Sequence, residues 1–156
     1  IRMRLNTIVI ILFVFNFQVY SQISTVALWS PVKESNIPKQ GVRIIEPTAY
    51  LTYKLDINKA HELLDSVTSL ADPAYVPRFF QIPHPDGTLH EYQVYLNETM
   101  SPGLMEQFPG IRSYDGVATN SSGEVVKLDL TPQGFHAMIL VPGASTIFID
   151  PYQHGI

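Results

Sequence analysis

Val125-Val126-Lys127-Leu128-Asp129-Leu130-Thr131-Pro132-Gln133-Gly134-Phe135-His136-Ala137-Met138-Ile139-Leu140-Val141 is the stretch that decides the fold. Val126, Leu128 and Leu130 alternate with Val125, Lys127 and Asp129, and a period of two places each set on its own face of a strand. Pro132-Gln133-Gly134 then breaks the run, and residues 135–141 form a second strand that is almost wholly apolar. Two such runs across a short glycine-bearing break read as paired strands.

Working outward, the same punctuation recurs. Pro142-Gly143 turns the chain into a strand at 146–149, and Asn120-Ser121-Ser122-Gly123 separates the hairpin from a strand at 111–117. Further upstream, Phe79-Phe80-Gln81-Ile82 leads into Pro85-Asp86-Gly87-Thr88, a strong turn signal because glycine accepts positive φ. Residues 89–96 alternate again, with Tyr92, Val94 and Leu96 on one face and Glu91, Gln93 and Tyr95 on the other. Arg43-Ile44-Ile45 and residues 50–55 carry the branched and aromatic residues of strand or extended segments.

One helix interrupts this pattern. Ile57, Ala60, Leu63, Leu64, Val67 and Leu70 recur at helical spacing, with Asp56 as N-cap and Pro73 as the stop, predicting a helix over about 57–70. Ser101-Pro102 opens a short helical turn over about 101–108, ended by Pro109-Gly110. The predicted class is α+β and strand-dominated: an antiparallel curled sheet or sandwich with one main covering helix.

The amino-terminal end carries an address. Met3-Arg4 is a short positive start, residues 8–15 are unbroken apolar, and Val19-Tyr20-Ser21 resembles a cleavage site. These are the parts of a secretory signal peptide, and Asn16 and Gln18 interrupt the run well short of the ~20 residues a membrane helix needs. The expected organisation is a signal peptide at 1–21, an extended lead-in at 22–42 that docks Trp29 on the body, and one β-rich domain over 43–156. The expected location is extracellular, with no membrane anchor after cleavage. Ile1-Arg2 ahead of Met3, and the stop at Ile156, add the expectation of the first part of a longer secreted protein.

Composition narrows the function classes. Beyond residue 21 the chain keeps eight basic residues against fourteen acidic ones, a net charge of −6, and no basic cluster, which argues against nucleic acid as partner. With no cysteine, the chain has no disulfide framework, zinc–thiolate site or thiol nucleophile.

The histidines are the candidates for chemistry. His61-Glu62-Leu63-Leu64-Asp65 approaches the zinc-protease pattern, but Asp65 stands where a second histidine is needed, and His61 and Glu62 fall on the solvent flank of the helix. His84 and His90 flank the Asp86-Gly87 turn and meet across a hairpin, a weak metal signal without a third ligand. Glu91 should point away from His90, so a structural or solvent-facing role is favoured. His136 and Asp129 face each other if the hairpin pairs, again favouring a satisfied polar pair. No serine nearby in sequence completes a triad, and no glycine-rich phosphate loop occurs. No catalytic, cofactor-binding or metal-binding residue is therefore assigned.

The order of short motifs carries a resemblance. Leu28-Trp29, Tyr53-Lys54-Leu55-Asp56, Ile82-Pro83-His84-Pro85-Asp86-Gly87, Glu91-Tyr92-Gln93-Val94, Met100-Ser101-Pro102-Gly103-Leu104, Phe108-Pro109-Gly110-Ile111-Arg112-Ser113-Tyr114-Asp115-Gly116, Thr131-Pro132-Gln133-Gly134-Phe135-His136-Ala137-Met138 and Ile149-Asp150-Pro151-Tyr152 follow one another. Together this string, over residues 28–152, resembles the amino-terminal pro-region of secreted bacterial reprolysin-like zinc metallopeptidases.

The resemblance implies a non-catalytic folding and latency module whose partner is its own downstream catalytic domain. That domain would carry a His-Glu-x-x-His-x-x-Gly-x-x-His motif and the zinc; none of those ligands lies in this chain, so no cofactor is expected here and the fragment itself is not an enzyme. The full precursor would be a zinc metalloendopeptidase. Animal relatives often silence their zinc with a pro-region cysteine; without one, inhibition would require covering the cleft or a non-thiol ligand. The alternative is an extracellular binding or adhesion module presenting Tyr50, Tyr95, Tyr114 and Tyr152. A self-contained hydrolase lacks any nucleophile–base or metal constellation.

Overall fold

A computed structural model describes residues 27–153. The expected signal peptide lies outside the described residues. Among those described, no helix is long and apolar enough to cross a membrane.

Two short strands, β1 (Trp29–Pro31) and β2 (Tyr53–Leu55), pair antiparallel, and the helix α1 (Ile57–Asp65) follows. The body is a six-stranded antiparallel sheet in sequence order: β3 (Arg78–Pro83), β4 (Leu89–Leu96), β5 (Arg112–Ala118), β6 (Val125–Thr131), β7 (Gly134–Leu140) and β8 (Ile147–Ile149). A short helix, α2 (Pro102–Gln107), lies between β4 and β5. The strand-dominated α+β class and the curled antiparallel sheet are as the alternation predicts.

The curl can be measured from ring contacts. Phe80 on β3 stacks on Phe135 on β7 with ring centroids 5.6 Å apart. Four strand spacings separate those strands, about 19 Å in a flat sheet. The sheet therefore wraps until its inward side chains meet, and these form the core: Phe80, Ile82, Tyr92, Val94, Tyr114, Val126, Leu128, Leu130, Phe135, Ala137 and Ile139. Gly116 contributes to the close fit. A Cβ there would lie 2.9 Å from Val126 Cγ1, 3.0 Å from Val94 Cγ1 and 3.1 Å from the Gln93 carbonyl, so only glycine sits easily between the two valines.

Ala60 and Leu64 of α1, Val67 and Leu28 close the core. Trp29 docks as expected: its ring meets Phe135 edge-on at 5.4 Å, and Nε1–H donates to the Gln81 carbonyl of β3 at 2.6 Å. That bond occupies a carbonyl on an edge strand, where unpaired groups invite association. Leu28 belongs to the core and β1 pairs with β2, so residues 28–31 are built into the body.

Two expectations need correction. The helix ends at Asp65, not near 70: the Ser66 hydroxyl donates to the Leu63 carbonyl at 2.7 Å, and the Thr68 carbonyl accepts from the Leu96 amide at 3.0 Å. The chain thus leaves the helix after Ser66, the Thr68 carbonyl bonding to the end of β4, and Leu70, on the predicted stripe, is exposed. Arg43–Ile45 lie outside the strands of the described residues, and Ile44 and Ile45 are exposed. Arg43 instead sits over the rings of Tyr50 and Tyr152, at 4.9 and 4.5 Å, and pairs with Glu34 at 2.7 Å.

Candidate functional site

The hairpin between β3 and β4 brings the two flanking histidines together. Gly87 takes φ 84°, the His84 amide donates to the Thr88 carbonyl at 2.8 Å, and Asp86 Oδ1 accepts from the Thr88 amide at 2.9 Å. Ile82 pairs with His90, so His84 and His90 are diagonal neighbours on the inward face. Their rings stack at 3.6 Å. Glu91, one residue on, faces the other way and is exposed.

Sequence reading missed the third member, Glu124. It closes the β5–β6 turn, its carbonyl accepting from the Ala118 amide at 3.0 Å. Tyr92 pairs with Ala118 across β4 and β5, so the inward row runs Tyr92, Ala118, Glu124. The small Ala118 leaves the two longer side chains free to meet over it. Glu124 Oε2 accepts from the Tyr92 hydroxyl at 2.8 Å and lies 3.0 Å from His90 Nδ1 and 3.7 Å from His84 Nε2. The Tyr92 oxygen also lies 2.8 Å from His84 Nε2. Glu124 and His84 are both buried, and His90 is half-buried on the solvent side.

The electrostatics follow from this packing. Burial pushes the Glu124 carboxyl up, but bonds from His90 and Tyr92 and the facing imidazoles outweigh it and hold it below the usual carboxylate range. Burial, then the adjoining His90, pushes His84 down against the pull of Glu124. Burial, reinforced by the bond to Glu124, raises the Tyr92 phenol. The result is a buried anion surrounded by donors, with two imidazole nitrogens and one carboxylate oxygen all within 4.8 Å of one another.

The other candidates separate. His61 and Glu62 are exposed on α1, and Asp65 faces Arg112 at 3.7 Å, so this helix does not fit the zinc of a catalytic domain. His136 and Asp129 are register partners on the outward face, as the hairpin predicts, and His136 Nδ1 lies 3.1 Å from Asp150 Oδ1. Burial raises the Asp129 carboxyl, His136 opposing and Asp150 adding to it. Ser113 pairs with Asp129, completing a row of serine, aspartate and histidine in the wrong order for a triad. The serine lies two strand spacings from the imidazole, about 10 Å.

The outward face has a second feature. Phe79 pairs with Gln93, Gln93 with Val117, Val117 with Val125, and Val125 with Leu140. A row with four apolar members thus crosses five strands, and Phe79, Val117 and Leu140 are exposed. Beside it Tyr95, Asp115, Lys127, Met138 and Phe148 form a mixed row, next to a depression of about 470 Å³ lined in part by Asp129, His136 and Phe148. Phe148 is 66% exposed. The tyrosines considered for adhesion are largely committed: Tyr114 is buried, while Tyr50 and Tyr152 hold Arg43 and bond to Glu34. Comparisons with protein-family models, curated proteins and solved structures give no match to this chain.

Proposed function

We propose that this chain is the non-catalytic pro-domain of a secreted zinc metallopeptidase precursor, acting as a folding and latency module for its own downstream catalytic domain. The observation that carries the reading is the bare outward face. One side of the sheet is closed by α1 and the β1–β2 pair; the other presents the Phe79–Val117–Val125–Leu140 row and Phe148. Exposed apolar tracts edged by polar groups mark protein-interaction surfaces. The resemblance carried by the motif order over residues 28–152 supports a catalytic-domain partner, and the leader-like segment at 1–21 supports export.

The domain's role is physical. Seating the apolar row on the catalytic domain would remove it from water and cover the cleft, latency without a thiol. Co-production of residues 22–156 with the catalytic domain encoded downstream tests this. A stable complex with reduced peptidase activity, or a higher yield of folded catalytic domain, is expected. A segment that neither binds, inhibits nor assists folding refutes the reading.

A further inference from the structure

We propose that His84, His90 and Glu124 form a binding site for one divalent transition-metal ion of the zinc class, joining the turn end of the β3–β4 hairpin to the β5–β6 turn. The argument stands apart from the pro-domain reading and rests on donor chemistry and spacing. Two imidazoles and one carboxylate are a ligand set that zinc takes in catalytic sites, where a water fills the fourth position. A tetrahedral zinc with ligands at about 2.0–2.1 Å holds its ligand atoms about 3.3 Å apart. Glu124 Oε2 lies 3.0 Å from His90 Nδ1 and 3.7 Å from His84 Nε2, on either side of that value.

The surroundings fit as well. Carboxylates that ligate a metal are held by a further hydrogen bond, and the Tyr92 hydroxyl supplies one to Glu124 at 2.8 Å. The same hydroxyl lies 2.8 Å from His84 Nε2, the nitrogen that faces Glu124. Each ligating nitrogen must offer its lone pair to the ion, so the metal competes with protons for both imidazoles. The near-parallel rings, 19° apart, send their in-plane lone pairs side by side, so one ring must turn for them to converge. His90 is the one able to move: its side chain is 23% exposed against 7% for His84, and it marks the entry path. Water would complete the coordination. Oxygen-seeking magnesium and calcium suit a site with two nitrogens poorly.

The ligands come from three places separated by up to 40 positions, two flanking one turn and one closing another. An ion there cross-links the ends of two hairpins. The test uses the full chain stripped with a chelator. Calorimetric titration with Zn²⁺ should give one equivalent bound, Co²⁺ should give the intense visible bands of a tetrahedral site, and Mg²⁺ and Ca²⁺ should not compete. His90→Gln and Glu124→Gln should each weaken binding by more than the about 10- to 100-fold that loss of an outer-shell partner costs, while His136→Gln on the outward face binds as wild type. Should the variants unfold, imidazole nitrogen resonances of the wild type decide: zinc should shift those of His84 and His90 and leave His61 and His136 in place. Absence of binding at about 100 μM Zn²⁺, equal loss in His136→Gln, or shifts confined to other histidines overturns the assignment.

Discussion

Tyr92→Phe removes a single oxygen from a residue with no exposed surface, and the consequences can be worked from distances. That oxygen donates to Glu124 Oε2 at 2.8 Å and meets His84 Nε2 at 2.8 Å, spanning the 3.7 Å between them. A hydrogen bond to a charged acceptor contributes about 1.5–3 kcal/mol and a neutral one about 1 kcal/mol. The phenylalanine ring fills the same space and needs no partner, which returns part of the loss. It also leaves a buried carboxylate with one donor fewer, so the substitution is not neutral. The expected cost is about 2–3 kcal/mol, or a fall in melting temperature of about 5–15 °C for a domain of this size. Urea unfolding followed by circular dichroism near neutral pH, with chelator present to exclude metal, measures it. A double-mutant cycle with Glu124→Gln should show a coupling of about 1–2 kcal/mol. A cost below about 0.5 kcal/mol, or strictly additive substitutions, would refute the claim that these side chains act as one network.

Gly116→Ala should lose about 1–3 kcal/mol in the same assay, because its methyl group would lie 2.9–3.1 Å from Val126, Val94 and the Gln93 carbonyl; wild-type stability would mean the sheet yields there. Trp29→Ala should cost about 2–4 kcal/mol and speed proteolytic cleavage before residue 53, since it removes the Phe135 contact and the bond to Gln81. Unchanged protease resistance would show that β1 is held by other contacts. Asp129→Asn gives a pH test. Burial raises the Asp129 carboxyl, so the folded state keeps its proton to higher pH than the unfolded chain does. Its relative stabilisation is present below the unfolded pKa of about 3.9 and is lost as pH rises through the folded value. The asparagine variant should therefore be more stable than wild type at neutral pH, with the difference closing in acid; destabilisation at neutral pH contradicts this.

The elements legible in the sequence are those whose residues follow one period against one partner. The alternation at 125–130 and the apolar run at 135–141 give β6 and β7 nearly to the residue, and Asp86-Gly87 gives the turn before β4. The helix end was not legible, because Val67 and Leu70 continue the stripe while Ser66 and the Leu96 amide take the backbone elsewhere. Nor was the fate of Arg43-Ile44-Ile45: branched residues favour a strand where they pack on a half-buried surface, and Ile44 and Ile45 are exposed. The meeting of His84 and His90 followed from the turn. Glu124 did not, although it stands in phase with Val126, Leu128 and Leu130. A carboxylate in step with an inward set signals a buried anion needing donors, and those donors are 32 and 34 positions away.

The central claim concerns the outward face, and one measurement tests it most directly: the affinity of the chain for the proposed downstream catalytic domain, with and without Val117→Lys and Leu140→Lys together. Both side chains point to solvent, so folding stability should change by no more than about 0.5 kcal/mol. The account predicts a complex with Kd at or below about 1 μM, weakened about 100-fold or more by the paired lysines. No measurable complex, or one that the lysines leave unchanged, would contradict it.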